Sequence, residues 1–185
     1  MPVNQVMTDS ESKMNKAVEV LQDEFKGVRT GRASTGLVEN IKVEYYGNPT
    51  PLKALAALST PQPDMILVKP FDPNSIKDID KAILASEVGL TPMVDGKMIR
   101  LSVPALTEER RRQLVQQVKG MGEQAKISVR NVRRDAIKHL EKEEKDKLIT
   151  EDDSKKGQKQ LDDMTKQHTD KIDQVVKHKS DEIMQ

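Results

Sequence analysis

The sequence has no cysteine and no tryptophan, and its only aromatic side chains are Phe25, Phe71, Tyr45 and Tyr46. Without cysteine there is no disulfide, no thiolate metal site and no cysteine nucleophile, and a reducing cytoplasm is compatible with that. Charged residues make up 33% of the chain and hydrophobic ones 35%. With so little aromatic bulk, one thick globular core is out of reach. Long helices with narrow apolar seams, plus something small and compact, suit this composition better. Long hydrophobic runs are missing too: no stretch approaches the roughly 20 apolar residues of a membrane span. The opening Met1-Pro2-Val3-Asn4-Gln5 also lacks the basic-then-apolar pattern of a signal peptide. The expectation is a soluble, cytoplasmic protein with no membrane partner.

Signs of catalysis are equally scarce. His139, His168 and His178 fall on predicted long helices with no second ligand at helical spacing, and no His-Glu-x-x-His occurs. Gly27-x-x-x-Gly31 is not followed by the Lys-Ser/Thr of a phosphate-binding loop. The carboxylates are dispersed, so no general acid/base pair can be singled out. No catalytic residue, metal site or cofactor is expected.

The apolar pattern that is present divides the chain. From about Val6 to Arg29 a heptad runs through Met7, Met14, Leu21 and Val28, with Val18 and Phe25 at the second position and Glu11 as its one break. Gly31 is placed to stop this helix near Thr30. Eight of the nine prolines then lie between Pro49 and Pro104. Ile41–Tyr46 alternates as a half-buried strand ended by Gly47-Asn48-Pro49, and Met65–Lys69 reads as a buried strand. Asp72-Pro73 opens a helix with Ile76, Ile79, Ile83 and Leu84 inward and Gly89 closing it. Met93-Val94 and Met98–Val103 flank Asp95-Gly96 as a hairpin. Residues 31–104 carry eight basic and eight acidic side chains, so this module is neutral. Helical texture returns at Thr107, an N-cap followed by Glu108 and Glu109, and continues to about Lys147, roughly 60 Å at 1.5 Å per residue. Thr150–Asp153 caps a third helix with Leu161, Met164, Ile172, Val175 and Ile183 as its seam, and Gly157 as a minor blemish. A lone seam cannot stand by itself. The predicted architecture is therefore α+β: an antiparallel three-helix bundle, residues 1–30 and 105–185, with a small β/α/β domain, residues 31–104, inserted between helices 1 and 2. Two segments, near Arg29-Thr30-Gly31-Arg32 and Val103-Pro104-Ala105, must link them.

The strongest functional feature is charge of one sign in one place. Between Arg110 and Lys138 stand nine basic residues (Arg110, Arg111, Arg112, Lys119, Lys126, Arg130, Arg133, Arg134, Lys138) against Glu123 and Asp135, in a chain of net charge +1. At about 100° per residue, Arg112, Lys119, Lys126, Arg130 and Arg133 fall within roughly 60° of one another. The apolar arc of Leu114, Val118, Met121, Ala125, Val132 and Ala136 lies roughly 110° away. Only two acids lie within the stretch, so the cations read as unpaired, a ridge for a polyanion. With no aromatic platform for single-strand bases, phosphates of a structured nucleic acid are the expected partner. A helical adaptor or chaperone working by protein–protein contacts is the alternative. It would need apolar surface left over after the three seams pack.

Four motifs, Arg29-Thr-Gly-Arg-Ala-Ser34, Glu44-Tyr-Tyr-Gly47, Leu106-Thr-Glu-Glu-Arg-Arg111 and Val129-Arg-Asn-Val-Arg-Arg-Asp-Ala136, resemble the bacterial ribosome recycling factors, in the same order over the full chain. The resemblance implies a three-helix bundle with an inserted β/α/β domain on a two-strand hinge, tRNA-like in shape. It implies a monomer that binds the large ribosomal subunit after termination. With elongation factor G, which supplies the GTPase, such a factor dissociates the ribosome from mRNA, so the chain itself would be no enzyme. Arg130 and Arg133 match the family's contacts with 23S rRNA, and Arg29, Thr30, Gly31, Arg32, Pro104 and Ala105 match its hinge.

Overall fold

A computed structural model describes residues 3–185. Three long helices, α1 (Val3–Lys26), α4 (Glu108–Lys145) and α5 (Glu151–Met184), account for most of the chain. Between α1 and α4 lie β1 (Lys42–Tyr45), β2 (Asn48–Pro51), α2 (Leu52–Leu55), β3 (Ala56–Gln62), β4 (Met65–Pro70), α3 (Ile76–Ala85), β5 (Pro92–Asp95) and β6 (Met98–Ser102). Two compact units result: residues up to Phe25 with Val115–Asp181, and Lys26–Leu114 with Glu182–Gln185.

In the helical unit α4 runs antiparallel to both α1 and α5. Val6 of α1, Ala136 and Leu140 of α4 and Leu161 of α5 share one buried cluster, and His168 of α5 faces Asn15 of α1. Along α1 the buried positions are Val6, Ser10, Met14, Val18, Leu21 and Phe25. The seam thus enters through Val6 and Ser10, where the sequence pattern put Met7 and Glu11. The Ser10 hydroxyl donates to the Val6 carbonyl at 2.7 Å, so the heptad break is filled by a small, satisfied side chain. On α4 the buried stripe is Leu114, Val118, Ala125, Val129, Ala136 and Leu140. The last turn of α1 ends at Lys26, ahead of Thr30, and Gly31 takes φ +82° in the segment that follows.

The second unit holds more sheet than its sequence announces. β1 and β2 form a two-stranded hairpin, and a four-stranded antiparallel sheet runs β3-β4-β6-β5. Neither β2 nor β3 is legible in the sequence pattern, because each carries proline. Ile79 and Ile83 of α3 pack into one core with Val43, Ile66, Val68, Ile99 and Leu101. Leu84, expected inward, is 59% exposed, since it sits one position beyond Ile83 and about 100° round the helix. The second hairpin pairs Asp95 with Met98. Its turn residues are therefore Gly96 and Lys97, one place later than expected, with Gly96 at φ +61°.

Candidate nucleic-acid interface

Thr107 caps α4 as its sequence suggests: its hydroxyl accepts from the Arg110 amide at 3.2 Å. The helix then runs unbroken to Lys145, so the basic side chains between them keep helical phase. Their partners differ from the sequence expectation. Lys126 is not free: its ammonium lies 2.6 Å from Glu123 and 2.9 Å from Asp173 of α5, with its side chain only 15% exposed. The hydrogen bonds to Glu123 and then Asp173 raise its pKa above the ordinary lysine value. The Arg133 guanidinium donates through Nη1 to Asp162 of α5 at 3.1 Å, while its buried Nε has no partner among the described residues. Arg112 pairs with Glu108 one turn earlier on its own helix. The premise of an unpaired ridge fails at these three positions.

Lys119 and Arg130 stand exposed on the same arc, and among the described residues no ion pair engages either of them. Exposed and, among the described residues, equally unengaged are Arg134 and Lys138, basic positions of the same stretch that lie outside the predicted ridge. By helical phase Arg134 lies roughly 40° from Arg130, on the side away from Lys126 and Arg133. The free positive strip thus runs Lys119–Arg130–Arg134–Lys138, and Lys126 and Arg133 form its border against α5. Free cations keep their full capacity for phosphate, whereas a paired one must first give up or share its carboxylate. The buried residues Val118, Ala125, Val129 and Ala136 fix the azimuth of this strip by turning the flank roughly 120° away from it into the bundle.

The two linking segments both lie in the second unit. Arg29 Nη2 donates to the Pro104 carbonyl at 2.8 Å, so one segment is fastened directly to the other. Burial, and then the neighbouring charge of Arg110, lowers the Arg29 pKa, and its Nε is buried without a partner among the described residues. Close to Gly31 are the Arg111 guanidinium and Leu106, and Arg111 Nη1 donates to the Met184 carbonyl at the end of α5 at 3.2 Å. Thr30 is half-buried, and Arg32, Pro104 and Ala105 are exposed. Among the described residues no helix is long and apolar enough to cross a membrane.

Comparison with known proteins covers the whole chain. A family model described as ribosome recycling factor matches residues 21–184. The ribosome-recycling factor of Pelobacter propionicus is 49% identical over 180 residues, 97% of either chain. That of Mycobacteroides abscessus is 44% identical over 183 residues, 99% of either. Among solved structures, the solution structure of a ribosome recycling factor superposes with a TM-score of 0.78 at 41% identity, covering 100% of this chain and 98% of that one. Another, described as models for the T. thermophilus ribosome recycling factor and the E. coli elongation factor G bound to the E. coli post-termination complex, gives 0.68 at 36% identity, with full coverage of both.

Proposed function

The chain belongs to the ribosome recycling factor family, and from that premise we propose that it dissociates the post-termination ribosome from mRNA together with elongation factor G. The observation that carries this reading is the full-length match to a recycling factor that, with elongation factor G, is bound to the post-termination complex. The chain acts as a translation factor, by binding and displacement. The GTPase belongs to the elongation factor.

In this reading the bundle, residues 1–30 and 105–185, holds the large subunit. The exposed strip of Lys119, Arg130, Arg134 and Lys138 meets 23S rRNA phosphates, with Lys126 and Arg133 at its border and Arg112, which shares its charge with Glu108, at its N-terminal end. An arginine there can take a phosphate through two parallel N–H donors, which fixes orientation as well as affinity. Residues 31–104 form the module on which the elongation factor acts, and Arg29, Thr30, Gly31, Arg32, Pro104 and Ala105 are the hinge between the two. The Arg29–Pro104 hydrogen bond supports that role, because it ties the two connecting segments while leaving Gly31 free to take up rotation.

The direct test is light scattering on purified post-termination complexes with elongation factor G and GTP. Adding the chain is expected to accelerate splitting into subunits. Equal rates with and without it would sink the proposal.

A further inference from the structure

The hairpin β1–β2 leaves one edge open, and its prolines say which groups face that edge. Lys42 stands opposite Pro51, Val43 opposite Thr50, Glu44 opposite Pro49 and Tyr45 opposite Asn48. In an antiparallel pair, hydrogen-bonded and non-hydrogen-bonded positions alternate. Proline has no N–H to give, so the Lys42 and Glu44 pairs are the non-bonded ones. The Leu52 amide donates to the Ile41 carbonyl at 2.9 Å, which continues the same alternation one residue earlier. The N–H and C=O of Lys42 and Glu44 therefore point away from β2. Among the described residues β1 pairs with no other strand.

That edge borders a groove of about 440 Å³ lined by Ile41, Lys42 and Glu44 on one side and Asp78, Lys81, Ala82, Ala85 and Ser86 on the other, where α3 runs. Ala82, Ala85 and Ser86 are small, so a chain can approach α3 closely. The rim carries two cations, Lys42 and Lys81, and two anions, Glu44 and Asp78. A phosphate backbone gains nothing net from such a rim. An extended polypeptide satisfies the free donors and acceptors and can set its own charges against both signs.

We propose that this groove is a docking site for an extended segment of elongation factor G, which adds as a third strand to the outer edge of β1. The choice of partner rests on the functional reading above, in which the elongation factor joins the chain on the post-termination complex. Main-chain hydrogen bonds to Lys42 and Glu44 supply register, and a small apolar side chain seats on Ala82 and Ala85.

The test is residue-resolved hydrogen exchange on the full chain bound to post-termination ribosomes, with and without elongation factor G and a non-hydrolysable GTP analogue. The expected result is at least tenfold slower exchange of the Lys42 and Glu44 amides when the elongation factor is added. Val43 and Tyr45 already bond to β2 and should change little. Glu44→Pro removes the outward N–H at an edge position where the fold does not use it, and should abolish the effect at Lys42. Glu44→Gln keeps that N–H and should preserve it. Ala85→Arg fills the groove from an exposed helical position and should also abolish it. Both blocking variants should still co-sediment with large subunits. Unchanged exchange on ribosomes that have bound the chain overturns the docking site. Full protection before the elongation factor is added overturns the choice of partner. A chain that does not co-sediment at all overturns the functional reading, and this proposal with it.

Discussion

Two glycines show how a single residue governs helix approach. A Cβ built on Gly157 would lie 2.9 Å from Leu140 Cδ1, so this position is where α4 and α5 come close, and the sequence pattern undervalued it as a blemish. At Gly122 the clash is tighter still, with the branched Val176 side chain of α5 inside van der Waals contact. Gly122→Ala should cost about 1–3 kcal/mol by overpacking, lowering the melting temperature by roughly 2–4 °C per kcal/mol. Val176→Ala in the same chain should restore part of it. A Gly122→Ala protein that melts like the parent would show that the helices separate freely here. The cations teach the same lesson from the other side. Lys126 has a local acid in Glu123, three residues before it, which the sequence already shows. Its second acid, Asp173, and the acid of Arg133, Asp162, lie 47 and 29 residues away. Only the register of α4 against α5 brings them together, and that register is set by packing rather than by any local pattern.

At the scale of elements, caps and periodicity were legible and proline-bearing strands were not. The Thr107 and Thr150 caps stand where their residue types placed them, because capping is local hydrogen bonding. β2, with Pro49 and Pro51, looked like a turn; it survives as a strand because both prolines fall at non-bonded positions of an edge. The α5 cap is reciprocal: the Thr150 hydroxyl donates to Asp153 Oδ2 at 2.7 Å and accepts from the Asp153 amide at 3.1 Å. Thr150→Ala should therefore cost about 1 kcal/mol, read in thermal melts. The Thr150 hydroxyl, and then its amide, hold the Asp153 carboxyl below the usual aspartate pKa. A lowered folded-state pKa gives stability that is fully present above the unfolded value, about 3.9, and is lost as pH falls through the folded one. The melting-temperature gap between the parent and Asp153→Asn should be present at pH 7 and close below about pH 3.9. A gap that widens in acid would reverse the assignment.

At the scale of the whole molecule, the neutral charge of residues 31–104 and the concentration of positive charge on one long helix point, from sequence alone, to a division of labour. The placement of the cations on that helix needed the fold. We propose residues 31–104 as a separable module; replacing them by a short flexible linker should leave a helical protein with a cooperative melt in circular dichroism, and a molten product would count against separability. The central claim is that the exposed strip on α4 binds rRNA phosphates, with Arg130 at its middle. Co-sedimentation with purified large subunits, at two salt concentrations, tests it most directly. Arg130→Ala should weaken binding at least tenfold, the roughly 1.5 kcal/mol or more of a charge-assisted contact, and should flatten the salt dependence that counterion release imposes. Arg133→Ala, whose guanidinium is shared with Asp162, should weaken it less. Lys177→Ala, exposed on the mixed-charge α5, should bind as the parent does. Binding that ignores Arg130→Ala but falls with Lys177→Ala would place the rRNA on another face and contradict the account.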